Sequence, residues 1–208
     1  MFRAPQDKES EAYQTYDLLR FTLILALIVI PLRIFIIQPF FVKGDSMLPA
    51  FQDKNYLIID QISYRFKDPQ RGDVVVFRPP NDPSRFYIKR IIAEPGERIV
   101  INGHVPKIFN EELPEGFMLD ESQYINEHME NRIDVTLSEG EYFVMGDNRR
   151  NSSDSRAWGA LQGDDIRGRV WLRLYPFKKI SGLPGDARKI LGRQMTQEGA
   201  TARLTDEE

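Results

Sequence analysis

The 208-residue chain contains no cysteine. Disulfide frameworks, cysteine-ligated zinc and thiol catalysis are therefore excluded, although a cysteine-free chain suits reducing and oxidising compartments equally. Histidine is nearly absent: His104 and His128 are the only two, too few for a multi-histidine metal site. A large excess of one charge sign is also missing. Lys plus Arg is 28 and Asp plus Glu is 31, a net charge of −3, which does not favour a nucleic-acid binder working by bulk electrostatics. HExxH, Walker A and GxGxxG patterns do not occur, no internal repeat is visible, and no pair of carboxylates stands out as a glycosidase dyad. Beyond residue 40 there is no long apolar run of helical period.

The apolar residues concentrate near the N-terminus. Residues 18–37 read LLRFTLILALIVIPLRIFII, and between Phe21 and Ile30 only Thr22 is polar. Twenty residues at about 1.5 Å each span about 30 Å, one hydrocarbon core. Apolar side chains fall on every face, which argues against a surface amphipathic helix. Pro31 is tolerable in a spanning helix, and Arg33 lies near the far end, where a long side chain reaches the interface. A cleaved secretory signal needs a basic leading region and a small-residue cleavage site. Residues 1–20 carry three basic and four acidic side chains, and no Ala-x-Ala-like site comes after the apolar run. The expectation is a retained transmembrane helix over 18–37, preceded by a short segment 1–17. Arg3, Lys8 and Arg20 before it, against Lys43 and Lys54 after it, are too evenly matched to fix its orientation.

Most of the remaining chain is patterned as strands. Runs rich in Val, Ile, Tyr and Phe occur at 56–60, 73–77, 86–93, 98–101, 133–137, 141–145 and 168–174, with Gly, Pro, Asn and Asp between them. Asn102-Gly103 predicts a two-residue hairpin. The fold class expected is mainly β: an antiparallel-rich, barrel-like domain over 38–185 behind one N-terminal transmembrane helix. Residues 110–131 hold seven acidic side chains and no Lys or Arg, and are expected to form an exposed acidic insertion. Residues 186–208 are a polar tail in which 187–194 have the pattern of a short helix and the last ten residues that of a disordered end. Both histidines are expected to be exposed and non-catalytic.

Three segments are unusual. Lys43-Gly44-Asp45-Ser46-Met47-Leu48-Pro49 lies a few residues beyond the apolar stretch. Tyr87-Ile88-Lys89-Arg90-Ile91-Ile92 sets two charged residues in an apolar strand, with Tyr87, Lys89 and Ile91 on one face. On that strand alone, a lysine snorkelling at a sheet edge and a buried functional lysine are equally good readings. Gly146 to Gly159 (GDNRRNSSDSRAWG) packs small and polar residues into a loop after a strand.

Together these segments resemble type I signal peptidases (leader peptidases), a family with a Ser/Lys dyad. The resemblance rests on the Ser-Met-x-Pro box at 46–49, a Gly-Asp strand box at 72–77, the Tyr-Ile-Lys-Arg strand at 87–90 followed by Pro95-Gly96, and the fourteen-residue box at 146–159. Order and approximate spacing agree over roughly residues 18–177. By resemblance, Ser46 is the nucleophile, Lys89 its general base, Ser152 the hydroxyl that orients the lysine, Asp154 with Arg156 a bracing ion pair, and Asp147 a neighbouring support. Two positions depart from the family. Ala50 follows Pro49 where Thr is usual, and Gly44 stands where one branch has a serine hydroxyl for the oxyanion. The expected oxyanion donors are then the Ser46 backbone N–H and a second backbone N–H of this turn.

The chemistry needs these residue types. A serine hydroxyl attacks well only when a base takes its proton. An ordinary lysine has a pKa of about 10.4, and burial lowers it by disfavouring the charged form. A neighbouring carboxylate would raise it again, so Asp154 is expected to pair with Arg156 and not with Lys89. Substrate pockets are expected among Met47, Leu48, Phe86, Tyr87 and Ile91. The resemblance implies a membrane-anchored serine endopeptidase that removes signal peptides from exported preproteins, with no metal or organic cofactor. It implies a single-pass protein of the cell membrane, its N-terminus cytoplasmic and its catalytic domain extracytoplasmic. Its partners would be preproteins and the lipid bilayer, with no nucleic acid. A self-cleaving repressor-type Ser/Lys protease would need a DNA-binding module where this chain has an apolar helix. A catalytically inert, membrane-anchored peptide-binding β domain is the alternative outside enzymes, and joint possession of Ser46 and Lys89 speaks against it.

Overall fold

The β-branched and aromatic runs form strands, and the first apolar run forms a helix, in a computed structural model that describes residues 6–31, 37–125, 127, 130–188 and 191, with side chains from residue 13 and not at 31 or 37. Helix α1 spans Gln6–Pro31. Its stretch from Tyr13 to Ile30 is long and apolar enough to cross a membrane, and none of it is buried against the rest of the protein. A helix apolar all round with no protein neighbours matches the membrane-span pattern. The expected boundaries shift: the helix begins well before residue 18, and Ile37 opens a strand. Arg33 falls outside the described residues.

Twelve strands come after the helix among the described residues. Eight form one antiparallel sheet: β1 (Ile37–Phe41), β2 (Tyr56–Asp60), β3 (Val74–Phe77), β4 (Tyr87–Ala93), β9 (Glu141–Met145), β10 (Leu161–Gln162), β11 (Ile166–Tyr175) and β12 (Ser181–Gly182). Their order is β1-β2-β11-β3-β4-β9-β10, with β12 beside β11. Register shifts along β11, between Ile166 and Gly168, Val170 and Leu172, and Arg173 and Tyr175, curl the sheet. The remaining four, β5 (Arg98–Gly103), β6 (Pro106–Phe109), β7 (Phe117–Met118) and β8 (Asn131–Thr136), make a second antiparallel sheet in the order β7-β6-β5-β8. The mainly β, antiparallel class is as the sequence indicates. The hairpin at Asn102-Gly103 is real but longer than two residues. Ile101 pairs with Pro106, so four residues make the link, and Gly103 keeps pairing with Asn131 of β8.

Two expectations about exposed segments do not hold. Within 110–131, Leu113, Phe117, Leu119, Tyr124 and Ile125 are buried in one core with Ile99, Ile101, Ile108 and Phe143. The acidic side chains described there face solvent, all except Glu121, which is 2% exposed. Acidic density hid an irregular apolar pattern that wraps over the β5–β6 hairpin. The tail is likewise not polar at its start: Ala187 and Leu191 enter the same core. Gly72 (φ +89°) makes the approach possible, since a Cβ there would lie 2.7 Å from Arg188 N. The rest of the expected tail, including most of the helix foreseen over 187–194, lies outside the described residues, as does His128. His104 is exposed.

Candidate active site

Ser46 sits in a tight turn between β1 and β2. The turn is closed by Leu48 N–H to Asp45 O (3.1 Å) and Phe51 N–H to Met47 O (2.8 Å). Met47, 1% exposed, drops into a core with Phe51, Leu57 and Val74, and pins the turn to the sheet. From the other side Asn148 holds it twice: its N–H donates to Ser46 O (3.0 Å) and its side-chain amide to Asp45 O (3.1 Å). Gly44 adopts φ +85°, and its N–H is taken by Asp53 Oδ1 at 3.0 Å. The Ser46 backbone N–H meets no acceptor among the described residues.

Lys89 lies within β4, opposite Val75 of β3. It is 3% exposed, and its Nζ is 2.7 Å from Ser46 Oγ. Burial lowers its pKa from 10.5 to about 8; Asp154 and Asp147 work against that shift, and Arg156 works with it. The snorkelling-edge reading of Lys89 is therefore excluded.

The two carboxylates that act on Lys89 are each committed to arginine. Asp147 takes both Nε (2.8 Å) and Nη2 (2.6 Å) of Arg90, a pair fully out of solvent. Arg90 also donates to Gly72 O (3.0 Å) and Gly185 O, and its guanidinium stacks 4.2 Å from the Tyr124 ring centroid. Asp154 takes Nε and Nη2 of Arg156, both at 2.8 Å, and Gly146 N–H at 3.0 Å. Burial pushes the Asp154 carboxyl up, but the Arg156 hydrogen bonds and charge bring it below the usual carboxylate range. Asp154 also caps α2 (Ser155–Trp158) by accepting from Arg156 N–H. It makes no hydrogen bond to Lys89. Ser152 departs from expectation: its buried Oγ makes no hydrogen bond to Lys89, and it lies close enough to Asp154 to help hold that carboxyl down.

A cleft of about 730 Å³ opens in front of Ser46 and Lys89, walled by Phe40, Val42, Leu57, Val76, Phe86 and Ile88 among others. Tyr87 also lines it. Met47, Leu48 and Ile91 do not, and for two of these the reason is plain. Met47 is core beneath the turn, and Ile91 is fully buried in a core with Val75, Phe77 and Val144. β4 pairs with β9 only from Arg90 onward. Among the described residues, no strand covers Tyr87–Lys89 on that side. Sequence reasoning misses Arg90, Asn148 and Arg149 as site-building residues, though all three lie inside the family boxes. It misses the apolar walls almost entirely, because apolar residues lining a cleft have the same pattern as core.

A β domain that sets a serine hydroxyl against a desolvated amine, beside an open strand edge, has the parts of a serine peptidase. Comparison with known proteins agrees: a family model described as signal peptidase, peptidase S26, matches residues 15–175, and the chain belongs to that family. It is 37% identical over 170 residues to a probable signal peptidase I-1 of Synechocystis, covering 78% of this chain and 82% of that protein. It is 35% identical over 189 residues to the probable signal peptidase I-2 of the same organism, with 88% and 84% covered. Against a signal peptidase I of Pseudomonas aeruginosa the identity is 30%, with 77% and 73% covered.

Proposed function

We propose that this signal peptidase removes signal peptides from exported preproteins, with Ser46 as nucleophile and Lys89 as general base. The observation that carries the assignment is the 2.7 Å separation of Lys89 Nζ from Ser46 Oγ inside a desolvated site. With the pKa lowered to about 8, a useful fraction of the amine is neutral near neutral pH. The neutral amine takes the hydroxyl proton as Oγ attacks the scissile carbonyl. The ammonium so formed returns that proton to the leaving amine, which departs from an acyl-enzyme on Ser46. A water, deprotonated by the same amine, then attacks the ester carbonyl. The ammonium passes that proton to Ser46 Oγ as the acyl C–Oγ bond breaks, which releases the signal peptide and restores the neutral amine. The Ser46 backbone N–H is positioned as an oxyanion donor. The Gly44 N–H, already bound to Asp53, is not the second.

The uncovered edge at Tyr87–Lys89 suits an extended peptide that adds as a strand, its alternate side chains entering the apolar cleft. Helix α1 is the membrane anchor in this reading, with the β domain on the extracytoplasmic side, where exported chains emerge. The test is cleavage of a preprotein by the full chain in lipid vesicles. Ser46→Ala and Lys89→Ala should each lose at least about 1000-fold in rate, and externally added protease should reach the β domain only when it faces outward. Residual cleavage near the wild-type rate in either variant removes the dyad.

A further inference from the structure

The acidic segment 110–131 contributes one buried turn to the site, and the dyad reaction gives that turn no role. Glu121, its side chain fully out of solvent, accepts a 2.8 Å hydrogen bond from Tyr124 OH, and both its carboxylate oxygens take the guanidinium of Arg149. Arg149 Nε in turn donates to Gly146 O at 3.1 Å. This fixes both ends of the loop 146–149, whose residue Asn148 carries two hydrogen bonds to the nucleophile turn. The Tyr124 ring lies beneath Arg90, the strand neighbour of Lys89. One turn of the segment therefore braces both halves of the Ser46–Lys89 pair, one through Arg149 and Asn148, the other through Arg90.

We propose that Glu121 and Tyr124 are positioning residues for the peptidase reaction, acting through Arg149 and Arg90 on the spacing of Ser46 and Lys89. The inference rests on the assignment of that pair as the dyad. Neither residue lines the cleft, so substrate binding is spared. Glu121 is also not among the charges that shift the Lys89 pKa, so the action is geometric. A displacement of the reacting groups by about 1 Å costs on the order of 100-fold in rate. A lone buried guanidinium does not stay in place without its carboxylate.

The experiment compares full-chain wild type, Glu121→Gln, Tyr124→Phe and Ser46→Ala in lipid or detergent, with active sites counted by a serine-acylating probe. The expected result for Glu121→Gln is a kcat per active site lower by about 10- to 100-fold, with KM and the acid limb of the pH profile unchanged. Tyr124→Phe, which keeps the ring and removes one hydrogen bond, should fall about three- to fivefold; it decides the matter if Glu121→Gln does not fold. A purely structural role would reduce the number of active sites and leave kcat per site at the wild-type value, which overturns the proposal. A raised KM with unchanged kcat, or a displaced acid limb, overturns it as well. Cleavage by Ser46→Ala would instead overturn the dyad assignment beneath it.

Discussion

Replacing Lys89 by methionine should abolish cleavage and make the protein more stable at neutral pH. Moving the folded-state pKa from 10.5 to about 8 corresponds to about 3 kcal/mol of differential interaction. Between these values the unfolded chain holds more protons than the folded one, so stability rises with pH across that window. Below pH 8 the cost is present in full; above 10.5 it is gone. Methionine fills the space without a charge, at the loss of the hydrogen bond to Ser46, worth about 1 kcal/mol net. The half-buried Ser46 hydroxyl keeps access to water. Lys89→Met should therefore gain about 2 kcal/mol over wild type at pH 7. The difference should vanish or reverse at pH 10.5. Urea unfolding of the full chain in micelles measures this, reported by Trp158 and Trp171, the two tryptophans, both in the β domain. Only the difference between the two proteins at each pH is used, which removes the other titrating groups. A variant less stable than wild type at pH 7, or a difference independent of pH, would show that Lys89 is not desolvated.

Other perturbations probe the same site. Wild-type kcat/KM should climb through an apparent pKa near 8, because the neutral amine is the active form. Arg156→Met, which frees Asp154 to favour the ammonium, should move that limb upward by about one unit, lowering activity at pH 7 and sparing it at high pH; an unmoved limb refutes the charge argument. Gly146→Ala should cut cleavage by about 100-fold or more, since a Cβ there would overlap Ser152 Oγ and Ser46 O; a rate near wild type would show that the loop yields freely. Asp147→Asn leaves Arg90 buried with half a partner and should cost about 3–5 kcal/mol of stability in urea unfolding.

How far the sequence foretells the structure differs by element. Short apolar runs of β-branched and aromatic residues such as 56–60 and 141–145 are legible to the residue, because turn residues bound them closely and they are too short for a core helix. β1 is not, because Ile37–Phe41 continues the apolar run of the helix and carries a proline. β7, β10 and β12, of two residues each, are too short to leave a pattern. At the site, Ser46 and Lys89 are picked out by the family boxes: Ser46 follows Lys43, Gly44 and Asp45 in an ordinary polar turn, and the strand pattern alone allows Lys89 a place at a sheet edge. Glu121 has the opposite fate. It is one acid among seven, and its contacts with Tyr124 and with Arg149, 28 positions away, separate it from its solvated neighbours.

The distribution of charge explains how a lysine is kept usable as a base in so acidic a setting. Asp147 and Asp154 both raise the Lys89 pKa, and either carboxylate left unpaired would favour the ammonium. Each is held instead in a bidentate grip, by Arg90 and Arg156, and Glu121 behind them is held in the same way by Arg149. Lysine would not serve in place of these arginines, because a guanidinium fixes both carboxylate oxygens in one plane and does not surrender its proton. The geometry also separates two jobs that a nearby carboxylate would otherwise merge. Asp154 orders the loop through Gly146 N–H and the α2 cap while its charge is matched by Arg156. Desolvation of Lys89, supplied by the packed sheet, is then left as the largest influence on its proton. The fold therefore lowers the amine pKa by excluding water, and confines the charges it needs for architecture to pairs that leave that effect largely intact.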